Sequence, residues 1–299
     1  VSNFNFVFVD HRDDIFIVEK LDFYRKIYPD VRMGMSLNRR SVIELPPHLR
    51  DIDIKCISDN CELAIGRYMS AALQCVLNVA YVIVENNMDK PNIILECDLE
   101  VSRYDLESRV NYLMNREFKS EVGLCCFNSK PPRGREFHLD DGNICAKHNA
   151  SFGTEYPIAA TTLGGQIMTL AGAKAIVNLF ETEASHMYYD YLVYLAAQYE
   201  RGALREVGYA VRYFTDYFFP SACTLAGLSF SDPINAVFPR HPKQAGDTVD
   251  ANNPTDFHDM MNDNRFYVIH HLAKDHECFP GSMRCLEDLR GSLLEQSGV

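Results

Sequence analysis

The chain has 299 residues, 47% of them hydrophobic, enough to bury the core of one large α/β domain or two small ones. No window approaches about 18 consecutive apolar residues, so no integral membrane span is expected. A formal charge of −12, with its Lys and Arg scattered, argues against a face for long nucleic acid.

"NFVFVD" (Asn5–Asp10) reads as a first strand, rich in Val and Phe. Apolar residues at Ile17, Leu21, Tyr24 and Ile27 or Tyr28 then recur at helical spacing, with Asp13 and Asp14 at the start and Pro29 at the end. A strand passing directly into a helix opens a nucleotide-binding α/β unit. No GxGxxG or GxxxxGK[ST] follows, so dinucleotide and P-loop readings lose support. "DIDIKCIS" (Asp51–Ser58) reads as the second strand.

Glu62 to Asn86 carries a broad apolar stripe and reads as a long helix. "NIILECD" follows as the most apolar strand, ending in Glu96, Cys97 and Asp98. A helix over "SRYDLESRVNYLMNRE", capped by Ser102 or Asp105, leads to a strand at "EVGLCCFN". The loop from Ser129 to Asp141 is rich in Pro, Gly and Arg, as active-site loops often are. Helices are expected at Ala171–Glu181 and Ala184–Arg201, a late strand at "GYAVRYF", and a long loop from Pro239 to Pro254. The alternation predicts a mainly parallel mixed α/β sheet flanked by helices, with residues 1–230 as the main domain and 231–299 packing on it.

The end of the apolar strand holds the chemical question. Side chains alternate along a strand, so Glu96 and Asp98 point one way and Cys97 the other if the strand continues through them. Adjacent carboxylates repel unless a positive group sits by them. A divalent ion with oxygen ligands, Mg²⁺ or Mn²⁺, answers this and can bridge a diphosphate. The plainer alternative is a strand end whose carboxylates cap the next helix or face water. Ligands of such sheets collect at the carboxyl ends of the strands, where this pair is expected.

"VFVDHRDD", then "ELAIGRYMSAALQCVLNVAYVIVENNMDKPNIILECDLEV", then "TTLGGQIMTLAGAKAIVNLF" and "YYDYLVYL", follow one another in an order that resembles a GT-A glycosyltransferase. The resemblance is greatest to the family 25 group of lipooligosaccharide and procollagen galactosyltransferases. Asp10, Arg12, Glu62, Gly66, Ser70, Glu96, Asp98 and Asp190 fall at comparable places, while Arg67, Ala71 and Cys97 replace the family's Cys, His and central Asp. The resemblance implies a nucleotide-sugar donor and a glycan or protein hydroxyl acceptor. Asp10 would receive base or ribose and Arg12 a phosphate, with Arg67 near the donor. Asp98 and Glu96 would hold Mn²⁺ or Mg²⁺, with His270 or His271 as the late histidine of the site. Asp190 would be the general base if the reaction inverts. Arg133 and Arg135 are expected to close over the diphosphate.

The rival readings are a metal-dependent nucleotidyltransferase or phosphohydrolase, and a non-catalytic scaffold such as a viral structural protein. "HHLAKDHECFPGSMRC" gathers His270, His271, His276, Cys278 and Cys285, but without zinc-ligand spacing. Of 10 cysteines none forms a CxxC, several lie in apolar runs, and no signal peptide is seen near Val1. The expectation is a soluble protein of the reducing cytoplasm, where the sequon Asn149-Ala150-Ser151 has no role.

Overall fold

The computed structural model describes residues 2–11, 14–57, 67–97, 99–101, 106–115, 120–126 and 166–182, with short stretches at 219, 222–223, 226–230, 248–250, 268–270, 291 and 295. Strand β1 (Asn5–Asp10) leads into helix α1 (Asp14–Ile27), then β2 (Met33–Leu37), a 3₁₀ turn (Pro47–Leu49) and β3 (Asp53–Cys56). Helix α2 (Arg67–Glu85), β4 (Asn92–Glu96), β5 (Leu99–Val101) and helix α3 (Leu106–Met114) follow. After them come β6 (Val122–Cys126), β7 (Gln166–Met168), helix α4 (Leu170–Glu181), β8 (Ser229–Phe230), β9 (Thr248–Asp250) and β10 (Val268–His270).

The main sheet has seven strands in the order β3-β2-β1-β4-β7-β6-β8. Pairing is parallel except on both sides of β7, which runs antiparallel to β4 and β6. The mainly parallel, mixed sheet flanked by helices is therefore as the sequence predicts. Alternation divides the apolar residues between two cores. Phe6, Phe8, Ile93 and Leu95 meet Ile17, Leu21 and Tyr24 of α1 and Val110 of α3 on one face. Val7 and Leu124 meet Leu77, Ala80 and Ile83 of α2 and Ile176 of α4 on the other. Burial of both faces explains why β1 and β4 read as continuous apolar runs.

Buried amides tie the amino-terminal end of β4 into place. Asn5 Nδ2 donates to Asn92 Oδ1 at 3.0 Å, and Asn92 Nδ2 donates to the Met168 carbonyl at 3.0 Å. Helix α4 starts on Thr169, whose hydroxyl accepts from Gly172 N at 3.0 Å and donates to the Val122 carbonyl at 2.8 Å.

Several expectations are revised. "DIDIKCIS" supplies the third strand, because "MGMSL" inserts β2 before it, its Met and Gly carrying little strand signal although all five residues are buried. The stretch 239–254, expected as loop, includes β9. A second sheet, β5-β10-β9, joins that segment and β10 to β5, just beyond the acidic pair. The expected helix at 184–201, the strand at 208–214 and the loop at 129–141 lie outside the described residues. No helix among the described residues is long and apolar enough to cross a membrane.

Candidate functional site

From β1 the chain fills the sheet toward β2 and β3 on one side, then returns to place β4 on the other. The gap above β1 and β4 is thus the point where strand order reverses, and parallel α/β sheets hold their ligands in that crevice. Val9 pairs with Glu96 and Asp10 pairs with Leu37, so the ends of β1, β2 and β4 are level. Asp10 and Glu96, the last residues of β1 and β4, therefore stand at one height, with Cys97 next in sequence.

Asp10 is 2% exposed and Cys97 5% exposed, whereas His11 between them is open to solvent. Asp10 Oδ1 accepts from the His11 backbone N–H at 2.8 Å, and its carbonyl accepts from Asn38 N at 2.9 Å. Cys97 Sγ lies 3.5 Å from His11 Nδ1. One ligating atom each from Asp10, His11 and Cys97 falls within 4.8 Å of the other two. This changes the reading of Cys97. β4 ends at Glu96, and the Cys97 thiol beyond it lies beside Asp10, on the side where Phe8 and Leu95 pair two residues earlier on each strand.

A cation sits beneath this end. Lys20 of α1 is 1% exposed, and its ammonium donates to the Glu96 carbonyl oxygen at 2.8 Å while lying 5.9 Å from the Phe8 ring centre. Periodicity did not single out Lys20; the available signal was a lysine set inside the stripe of Ile17, Leu21 and Tyr24. On the rim, the Arg39 guanidinium pairs with Asp14 at the start of α1. Its Nε and Nη2 are shielded from solvent and have no hydrogen-bond partner among the described residues. Deeper, Ser36 Oγ donates to the Cys75 carbonyl at 2.5 Å. Burial pushes the Cys75 thiol up to about 12; the Ser36 bond opposes this and the Asp10 charge adds to it.

Of the predicted site residues, Asp10 and Glu96 stand at the strand ends as expected. Arg67 is the first residue of α2, and His270 ends β10 with Leu99, the neighbour of Asp98 in sequence, as its antiparallel register partner. Arg12, Asp98, Arg133, Arg135 and Asp190 lie outside the described residues. His11, Lys20 and Arg39 join the site without having been predicted for it.

No protein-family profile matches the sequence, and no curated protein matches it. Among solved structures the chain is similar to the galactosyltransferase LgtC in complex with donor and acceptor sugar analogues, at 10% identity over 97% of this chain and 95% of that one, TM-score 0.45. It is also similar to an active-site mutant of LgtC, at 12% identity over 97% and 95% of the two chains, TM-score 0.43. Neither is a family 25 protein by description, and that narrower part of the resemblance gains no support.

Proposed function

We propose that this protein is a glycosyltransferase, moving a sugar from a nucleotide-diphosphate donor to a hydroxyl of a glycan or protein acceptor. The observation that carries the reading is the sheet order, which sets Asp10 and the Glu96–Cys97 turn together at the reversal point above β1 and β4. Residues 1–230 carry the donor crevice, and 231–299 contribute β10 to its edge.

Asp10 receives the base or ribose. The diphosphate lies toward the start of α2. Ser36 packs on Cys75 near the strand ends, and a Cβ on Gly34, nearer the amino end of β2, would meet Val82. Helix α2 therefore runs antiparallel to β2, and Arg67 at its first turn is on the crevice side. The backbone N–H groups and positive dipole end of that turn favour an anion. Arg12 adds a guanidinium, and the Arg133/Arg135 loop covers the donor and excludes water.

Glu96, Asp98 and His270 would hold a divalent ion: carboxylate oxygens suit Mn²⁺ or Mg²⁺, and His270 is the register partner of Leu99, next in sequence to Asp98. Such an ion supplies charge neutralisation for the leaving diphosphate. Lys20 holds the backbone carbonyl of Glu96, the first of these residues. Asp190 is the general base, taking the acceptor proton if the reaction inverts.

A thermal-shift panel of nucleotide sugars with and without Mn²⁺ tests the reading. A donor at 100 times its Kd adds about 2.7 kcal/mol to stability, a clear rise in melting temperature. A rise that needs both donor and Mn²⁺ is expected. No shift with any nucleotide sugar would favour the scaffold reading, and phosphate release without an acceptor would favour the phosphohydrolase.

A further inference from the structure

We propose that Asp10, His11 and Cys97 form a three-donor site for Zn²⁺, separate in its ligands from the carboxylate-rich site for Mn²⁺ or Mg²⁺. The donor set is a carboxylate, an imidazole and a thiol, each supplied from a strand end or the residue after it. Zinc accepts all three donor types, whereas Mg²⁺ and Mn²⁺ prefer oxygen and take thiolate poorly.

The geometry agrees with that chemistry. Zn–S and Zn–N bonds of about 2.3 and 2.1 Å at a tetrahedral angle put sulfur and nitrogen about 3.6 Å apart. The observed Cys97 Sγ to His11 Nδ1 separation is 3.5 Å. All three ligating atoms lie within 4.8 Å of one another, so closing the site takes a movement of about 1 Å. Buried Asp10 and Cys97 form the fixed side of the site, and His11 is the side through which an ion enters. The His11 backbone N–H already holds Asp10 Oδ1 at 2.8 Å, an orienting contact of the kind that conserves ligand direction at metal centres.

Three protein ligands leave a fourth position for water or a small ligand. On binding, the Cys97 thiol loses its proton to solvent and the sulfur becomes a thiolate ligand, so the net change is one ion taken up and one proton released. Zinc stands above manganese in the affinity order of such donors, so it takes this site in a mixture of the two ions. If the glycosyltransferase reading holds, Asp10 is also the donor's contact, and zinc and nucleotide exclude each other. The zinc site itself does not depend on that reading.

Cobalt(II) titration of the full chain, followed by zinc displacement, decides the matter without any donor or activity readout. In the wild type a sulfur-to-cobalt charge-transfer band in the near ultraviolet and intense tetrahedral bands in the visible should saturate at one Co²⁺ per chain, all erased by Zn²⁺. Cys97→Ser should lose the charge-transfer band and bind Zn²⁺ at least ~100-fold more weakly, more than loss of an outer contact produces. His11→Gln alters a solvent-exposed side chain, so its fold is safe even if Cys97→Ser is not; it should weaken zinc at least tenfold and shift the visible bands. Charge-transfer bands of equal strength in wild type and Cys97→Ser would assign the thiolate to another cysteine and overturn the proposal. So would wild-type zinc affinity in His11→Gln, or no displaceable ion in the wild type.

Discussion

The ammonium of Lys20, carried on α1, donates at 2.8 Å to the backbone carbonyl of Glu96, the last residue of β4. A buried cation thus fixes the strand end from which the candidate ligands project. Desolvating an ammonium is costly, and a charged hydrogen bond offsets that cost.

Lys20→Met keeps most of the stem and removes the donor. Loss of a charge-assisted bond to a shielded carbonyl should lower unfolding stability by about 1–3 kcal/mol. Urea denaturation should show a lower midpoint with an unchanged slope. An unchanged or higher midpoint would mean that the cost of burying the ammonium outweighs the bond.

Helix α4 and strand β6 approach at two glycines. A Cβ on Gly172 would stand 2.1 Å from the Gly123 carbonyl oxygen and 2.9 Å from its Cα, so backbone must move to admit a methyl group. Gly172→Ala should cost about 1–3 kcal/mol, as overpacking does, although alanine is the better helix former. The exposed Lys174→Ala, two residues on, serves as control and should stay within about 0.5 kcal/mol of wild type. A Gly172→Ala melting temperature equal to the control's contradicts the close approach.

Burial pushes the thiols of Cys75 and Cys223 up from 9.0 to about 12. Above the unfolded value the unfolded chain has lost these protons while the folded chain keeps them. Their contribution is therefore intact below about pH 9 and declines as pH rises toward about 12. Cys75→Ala should lower stability at neutral pH and make it fall less between about pH 8 and pH 10.5. Urea midpoints at the two pH values check this, and parallel declines in wild type and variant would remove Cys75 as a cause.

His270 and Leu99 are register partners, which brings a residue from the far end of the chain next to the acidic turn. His270→Ala should weaken Mn²⁺ at least tenfold by calorimetry, and Asp98→Asn should abolish its binding while leaving the melting temperature of the metal-free protein in place. Wild-type Mn²⁺ affinity in both variants would remove that ion site.

Donor affinity offers a separate check on Asp10. Asp10→Asn retains an acceptor for the His11 N–H and removes the charge. Loss of a charge-assisted contact to base or ribose should weaken nucleotide binding by about 10–100-fold, the equivalent of 1.5–3 kcal/mol. Unchanged affinity in a competition assay would move the nucleotide elsewhere.

The local pattern of residues was sufficient for β1, α1, β4, α3, β6 and α4, because each places its apolar residues at the period of its element and is bounded by polar or proline-containing turns. It also sufficed to put Asp10 and Glu96 at strand ends, since a strand's first polar residues follow directly from where its apolar run stops. Strands of three residues such as β5, β7 and β10 have no such period, and β2 is built from Met, Gly and Ser that serve helices and loops as readily. They become strands only by pairing with a sheet edge that already exists. The same holds for the site. Alternation bears on Cys97 only if the strand runs through it, but β4 stops at Glu96, and what the thiol meets depends on a neighbouring strand end 86 residues away in sequence. Lys20 reads as an interruption of an apolar stripe until α1 packs on β4, and His270 is one of several nearby histidines until β10 takes its register from β5. The sequence determined which residues end the strands; packing and register determined which of those residues meet, because each meeting joins segments whose separation along the chain leaves no local trace.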